Sequence, residues 1–178
     1  MSARSLKAQG FTLVEILIVV VILGILAAIV IPQFTSASEA AKASSIQTQL
    51  QTIRSQIELY QIQHNGDYPA LTAATDGTAW HALTETSDVD NTIKTDGTGD
   101  FGPYMQKAPV NSFTGESDLV ITTAAAGTMG AASKDIGWLY NSTTGQIKAS
   151  ILTTKAIEVG LLETGETEND DVKGYTGT

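Results

Sequence analysis

The hydrophobic residues of this chain are concentrated near its N-terminus. Residues 11–31 read FTLVEILIVVVILGILAAIVI, a run in which Glu15 is the only charged side chain. About 20 consecutive apolar residues are enough to span the hydrocarbon core of a bilayer as an α-helix. The run therefore predicts a single transmembrane helix, and Arg4 and Lys7 ahead of it favour a cytoplasmic N-terminus.

Beyond Pro32 the apolar residues become periodic. They recur at alternating spacings of four and three residues, which is the pattern of a helix with one buried stripe. The periodic positions are Ile46, Leu50, Ile53, Ile57 and Tyr60. The simplest interpretation is one helix from residue 11 to about residue 63, with an apolar half over 11–32 and an amphipathic half over 33–64.

Two residues are expected to weaken this helix. Pro32 lacks an amide donor and clashes with the carbonyl four residues earlier, and Gly24 is a poor helix former. Either the helix merely bends at these positions, or the segment between them unwinds. The helix is predicted to end at the sequence HNGDYP of residues 64–69, because glycine and proline stop helices.

Residues 65–160 read as a small α+β region. A short helical turn is expected around Trp80, followed by a loop over residues 84–100. Stretches rich in β-branched and aromatic residues predict three strands, over residues 119–123, 136–140 and 146–150. The last two form a hairpin, and Ile136, Trp138 and Tyr140 fall on one face. We therefore predict a small antiparallel sheet that packs on the amphipathic half of the helix.

The C-terminal residues 161–178 are predicted to form a mobile tail. Five acids fall between residues 163 and 171 without a basic residue among them, and such a run of like charge opposes compact packing. These acids are Glu163, Glu166, Glu168, Asp170 and Asp171.

Composition excludes several classes of function. The net charge of −9 and the pI near 4.5 disfavour binding to nucleic acid, because an acidic surface repels phosphate. The absence of cysteine excludes disulfides and thiolate catalysis. His64 and His81 are the only histidines, and they lie in no metalloprotease or hydrolase motif. The chain is therefore predicted not to be an enzyme and to need no cofactor.

One acidic stretch has the residue types of a calcium site. Asp88, Asp90, Asp96 and Asp100 carry hard oxygen ligands of the kind that calcium prefers. Their spacing differs from that of an EF-hand loop, which also has a central glycine. The favoured interpretation is a solvated acidic loop, with a calcium site as the alternative.

Glu15 requires an explanation of its own. A carboxylate at bilayer depth costs on the order of 2.5 kcal/mol or more unless it is paired or close to the interface. Glu15 is either a functional residue or an acid that reaches the headgroups from near the helix start. A cleaved secretory signal is disfavoured because the apolar run is longer than the 7–15 residues typical of one.

The sequence KAQG at residues 7–10, followed by FTLVE at residues 11–15, closely resembles the processing site of type IV pilins and type II secretion pseudopilins. In that family a short basic leader ends in glycine, phenylalanine usually follows, and a glutamate lies four residues further on. Several later stretches are similar to major pseudopilins, including NGDYP at 65–69, FGPY at 101–104 and GWLY at 137–140.

The resemblance implies a pilin-like α+β fold and a defined maturation. Residues 1–10 are a leader that a prepilin peptidase removes after Gly10, the new amino group of Phe11 is methylated, and Glu15 directs assembly. The segment between Gly24 and Pro32 is then expected to unwind in the filament. The resemblance also supports the alternative of a calcium site, because calcium binding is common in major pseudopilins.

The function that the resemblance implies is polymerisation into a type IV pilus or a type II secretion pseudopilus. The expected partners are other copies of the chain in a helical homopolymer, the prepilin peptidase, and an inner-membrane assembly platform with its ATPase. The precursor is expected to cross the inner membrane once, with a periplasmic or cell-surface filament as the product. The alternatives are a minor pilin with an adhesive role and a signal-anchored periplasmic domain that never assembles.

Overall fold

The computed structural model describes residues 10–73, 78–123 and 129–176. Its contacts divide the chain into two units, Met1–Glu39 and Ala40–Thr178, which we call the first and second unit. The helix α1 covers Leu13–Gln63 and belongs to both. This confirms the long helix that the two successive hydrophobic patterns predict.

The first unit contains the apolar half of α1. Its large apolar side chains, from Phe11 to Phe34, are each between 48% and 82% exposed. The helix assignment is uninterrupted at Gly24 and Pro32. The hydroxyls of Thr35 and Ser36 donate to the carbonyls of Ile31 and Pro32, each at 3.1 Å, as short polar side chains in helices often do.

The second unit begins with the amphipathic half of α1. The five predicted stripe residues, from Ile46 to Tyr60, are all buried in its core. The helix ends in a Schellman arrangement, because Asn65 is left-handed (φ 56°) and the Gly66 amide donates to the Gln61 carbonyl at 2.8 Å. Gly66, the glycine that the sequence offers as a stop signal, therefore directly follows the left-handed Asn65.

A small hairpin follows the helix. Thr78–Trp80 form a 3₁₀ turn and His81–Thr84 form α2, which agrees with the predicted turn around Trp80. The segment predicted to be a loop contains two short antiparallel strands, β1 (Thr86–Ser87) and β2 (Ile93–Lys94). The hairpin is attached to α1, because the Tyr60 hydroxyl donates to Asn91 Oδ1 at 2.7 Å.

The main sheet has four strands in the order β3–β4–β5–β6. They cover Leu119–Thr122, Trp138–Asn141, Ile147–Leu152 and Val172–Tyr175. The central pair β4–β5 is the predicted antiparallel hairpin, whereas β3–β4 and β5–β6 are parallel. The α+β class is confirmed, and the sheet is mixed because the chain re-enters it through longer connections on both sides of the hairpin.

Strand β4 of the β4–β5 hairpin is buried more completely than the alternating pattern predicts. Trp138 and Tyr140 are buried as expected, but Leu139 between them is buried too, and Ile136 precedes the strand. The indole of Trp138 lies edge-on to Trp80, with 6.3 Å between ring centroids. Strand β4 is thus an interior strand of the fold.

The prediction of a mobile acidic tail over residues 161–178 is corrected by the structure for residues 161–176, and the last two residues lie outside the described part of the chain. Leu161 and Leu162 are buried behind α3 (Thr153–Glu158), and Val172 in β6 is part of the core. Two of its acids, Glu168 and Asp171, form ion pairs with lysine and arginine side chains, which attach the segment to the fold.

Arg54 on α1 holds part of this C-terminal segment. Its guanidinium donates to Asp171 Oδ1 at 2.8 Å, to the Asp170 carbonyl at 2.7 Å and to the Ile147 carbonyl at 3.1 Å. Because three N–H donors of one planar group are used, Arg54 joins α1 to β5 and to the residues just before β6.

Glu168 is the second attachment point. Its carboxylate accepts from Lys148 at 2.8 Å and from Lys173 at 2.6 Å. Partial burial alone would raise the pKa of Glu168, but the two ammonium groups outweigh it and hold the pKa below its ordinary value. Because the pKa is lowered in the folded chain, the ion pairs of Glu168 with the two lysines stabilise the fold above about pH 4.3. This contribution is lost as the pH falls.

We predict that Glu168→Gln lowers the free energy of unfolding by about 1–3 kcal/mol near pH 7, because Lys148, only 9% exposed, loses its anionic partner. The difference from wild type should shrink as the pH is lowered from 7 to 3, because protonation of Glu168 removes the same ion pairs from the wild-type chain. Urea titration of the full chain in detergent micelles, followed by fluorescence of the buried Trp80 and Trp138, measures both. The exposed Glu116→Gln is the control, and an equal loss at both pH values would contradict the assignment.

Candidate processing and assembly site

The junction between Gly10 and Phe11 lies ahead of the first helical residue, Leu13. Both residues at the junction are exposed. A Cβ atom built on Gly10 would meet no atom within 4 Å, and the backbone there is not left-handed. Neither packing nor backbone conformation in the described part of the chain therefore requires glycine at this position. An exposed, non-helical peptide bond is what a peptidase can reach.

Thr12 and Glu15 form a reciprocal hydrogen-bonded pair at the start of α1. The Glu15 amide donates to the Thr12 hydroxyl oxygen at 3.2 Å, and the Thr12 amide donates to the Glu15 carboxylate at 3.3 Å. This is a capping box, in which each side chain satisfies an amide that the first helical turn leaves free. Glu15 therefore has a partner within its own chain.

Sequence reasoning missed Thr12, although its signal was present. Threonine followed three residues later by glutamate, directly before an apolar run, is the sequence signature of a capping box. The pair gives Glu15 a local role in starting the helix, besides the assembly role that the family resemblance implies. A neutral glutamine can replace glutamate in a capping box, so the two roles can be separated by substitution.

The predicted weak points, Gly24 and Pro32, both lie inside α1. A Cβ atom on Gly24 would meet no atom within 4 Å. Glycine in a helix interior costs about 1 kcal/mol relative to alanine, and proline costs more. Contacts among the described residues of one subunit do not explain why either is present. The unwinding of this segment in a filament stays a prediction.

The aspartates proposed for calcium have other partners within their own loop. Asp88 pairs with Lys94 at 3.1 Å, while Asp90 and Asp96 accept from the amides two residues ahead, at 3.0 and 3.1 Å. Hydrogen bonds from the hydroxyl and the amide of Thr92 lower the pKa of Asp90, and those from Thr98 lower the pKa of Asp96. Over residues 10–73, 78–123 and 129–176, no three acidic or histidine side chains come together as metal ligands, so Asp100 joins no such group either.

Comparison with known proteins identifies the N-terminal segment. Residues 5–31 match the family described as the prokaryotic N-terminal methylation motif. The matched segment contains Gly10, Phe11 and Glu15, the three residues that the resemblance assigns to processing and assembly. Among the described residues, α1 is long and apolar enough to cross a membrane, with a mean hydropathy of 3.3 in its most apolar window.

Three relatives show how far the similarity extends. Type II secretion system core protein G of Pseudomonas aeruginosa is 44% identical over 64 residues, which are 36% of this chain and 44% of the relative. The type IV narrow pilus major component PilA5 of Thermus thermophilus is 36% identical over 34% of this chain and 53% of its own length. The ComG operon protein 3 homolog of Bacillus licheniformis is 31% identical over 36% of this chain and 66% of its own length.

These alignments cover about a third of the chain, and only about half of the first relatives' own length. No solved structure is significantly similar to the chain. The matching motif at residues 5–31 covers the junction and most of the apolar part of α1, and it places an N-terminal methylation motif in this chain. In this N-terminal part the chain is similar to type II secretion core protein G and to a type IV pilus major component.

The comparisons also agree with the prediction that the chain is not an enzyme. The three relatives are named for a secretion system, a pilus and a ComG operon, and none of these names denotes a catalytic activity.

We predict that calcium does not stabilise this chain, because its acidic loop makes internal hydrogen bonds and an ion pair instead of a metal site. Addition of millimolar calcium, or of EDTA, should leave the melting temperature of the full chain in detergent unchanged within about 1 °C. Magnesium at the same concentration controls for ionic strength. A rise specific to calcium that EDTA reverses would instead restore the calcium hypothesis.

Proposed function

We propose that this chain is a structural subunit that polymerises into a helical filament, either a type IV pilus or a type II secretion pseudopilus. Maturation removes the leader of residues 1–10 by cleavage after Gly10 and methylates the new amino group of Phe11. The membership of its N-terminal segment in the methylation-motif family supports this maturation.

The observation that carries the proposal is the uncovered apolar half of α1. Its large apolar residues run from Phe11 to Phe34, and each is about half exposed or more. Burying one such side chain is worth about 1.5–3 kcal/mol, so the whole run is strongly unfavourable in water. Lipid covers it in the precursor, and the equivalent helices of other copies cover it in the filament.

Glu15 is the residue that distinguishes assembly from simple anchoring. Cleavage after Gly10 creates a positive amino group on Phe11, close to the Glu15 carboxylate in the sequence. Inside a bundle of apolar helices neither charge is tolerated alone, so the Glu15 of one copy pairs with the Phe11 amine of a neighbour. Because an ion pair requires close approach, it fixes the register of the copies.

The partners follow from this maturation and assembly. A prepilin peptidase cuts on the cytoplasmic face of the inner membrane, which the N-terminus reaches through Arg4 and Lys7. An inner-membrane assembly platform with its ATPase extracts subunits into the growing filament. The second unit then lies on the periplasmic or outer side, and nucleic acid is not a partner of its acidic surface.

The test compares Glu15→Gln with Glu15→Ala in the full chain, expressed with a prepilin peptidase and the assembly machinery. Glutamine keeps the capping box but removes the charge, and alanine removes both. We expect both variants to be processed and both to lower the yield of sheared filaments by about tenfold or more, because the filament requires the charge.

Glu58→Gln, at an exposed position of the amphipathic half, is the matched control and should assemble normally. Normal filament yield from Glu15→Gln together with a loss from Glu15→Ala would show that Glu15 acts only as a helix cap. A wild-type chain that is processed but stays in the membrane as a monomer would contradict the proposed function.

A further inference from the structure

A groove of about 360 Å³ lies in the second unit, between α1 and the segment that follows the β1–β2 hairpin. Ser44, Thr48 and Thr52 form one wall, on the side of α1 that faces away from the core stripe. Met105 and Pro109 form the opposite wall. Among the described residues, no charged side chain lines this groove, although the chain as a whole is strongly acidic. The groove therefore suits an uncharged occupant.

Gln49 marks a polar position within the groove. Its Nε2 donates to Ser45 Oγ at 3.3 Å, while its Oε1 is buried and has no hydrogen-bond partner in the described part of the chain. Exchanging the two ends of the amide would let the oxygen accept from Ser45, but the nitrogen would then be the end without a partner. A buried polar atom without a partner is unfavourable, so an occupant that brings a hydrogen-bonding group would be favoured.

The first unit supplies side chains of this description. Phe34, at the end of the apolar run, is 76% exposed, and Gln33 beside it is exposed as well. An aromatic ring inserted into a pocket is the usual anchor of a protein interface, and a neighbouring amide can both donate and accept. Within residues 16–38 there is no charged residue, which matches the uncharged groove.

We propose that the groove receives Phe34 of a second copy of this chain, with Gln33 of that copy hydrogen-bonded to Gln49. Each copy has one groove and one Phe34, and in the proposed filament the contact is made head-to-tail, so that it repeats from copy to copy without closing. Such a contact generates a filament rather than a closed dimer. The inference rests on the proposed assembly and adds to it a specific contact between the first unit of one copy and the second unit of the next.

The experiment replaces Phe34 with the photoreactive p-benzoylphenylalanine, which keeps an aromatic ring at this position. Sheared filaments are irradiated, covalent dimers are isolated by denaturing electrophoresis, and their tryptic peptides are identified. The chain has no lysine or arginine between Lys7 and Lys42, so the mature helix of residues 11–42 is released as one peptide. The two groove walls lie in separate peptides, residues 43–54 and 95–107, with Pro109 in the next one.

We expect the dimers to join the 11–42 peptide to residues 43–54 or to Met105 in the 95–107 peptide. The same probe at Ile22, also in the apolar run, should give adducts only within the 11–42 peptide. Filling the groove with Thr48→Trp should reduce the Phe34 adducts about tenfold or more. Thr154→Trp, an exposed threonine of α3 that does not line the groove, should leave them unchanged.

The possible failures have different meanings. Ala41 also lines the groove and lies in the 11–42 peptide, so adducts within that peptide are located to the residue. If filaments form and the Phe34 probe reacts only with residues that do not line the groove, the groove contact is wrong and the proposed function stands. Adducts that persist at full yield in Thr48→Trp filaments would also overturn the contact. If the processed chain forms no filaments, the proposed function fails, and this contact fails with it.

Discussion

The structure depends on one constraint, which is that half of a 51-residue helix has no polar face. From Phe11 to Phe34 its large apolar side chains are exposed, and the subunit itself does not cover them. Hydration of such a surface is unfavourable in proportion to its area, so the helix must remain in contact with lipid or with other helices. Transfer from lipid to a bundle of like helices gains little from the hydrophobic effect. We therefore propose that close packing and the Glu15 charge set the position of each subunit in the filament.

The second unit is organised so that its own core is closed. The stripe of α1 from Ile46 to Tyr60 packs within a core that also contains strand β4. The acidic C-terminal segment is attached through Arg54 and through the two lysines that share Glu168. Cationic side chains thus hold two of the five acids of this segment, Asp171 and Glu168, in place.

Much of this could be predicted from the sequence, because two features are local. The helix follows from its two hydrophobic patterns, and the β4–β5 hairpin from its β-branched and aromatic residues. The ordered C-terminal segment could not be predicted, because Arg54 and Asp171 are 117 residues apart in the sequence. The parallel pairings of β3 and β6 are non-local for the same reason. At the site, Gly10, Phe11 and Glu15 were found by motif, whereas Thr12 was missed although its capping pattern is also local.

The proposed maturation is tested most directly by the intact mass of the membrane-extracted chain. The chain is taken from a host with a prepilin peptidase, and wild type is compared with Gly10→Ala. The alanine should not disturb the fold, because a Cβ atom at Gly10 meets no atom within 4 Å. We predict that wild type lacks residues 1–10 and carries one additional methyl group, and that Gly10→Ala remains uncut. A wild-type chain that retains its leader in such a host would contradict the proposed maturation and indicate an ordinary signal anchor.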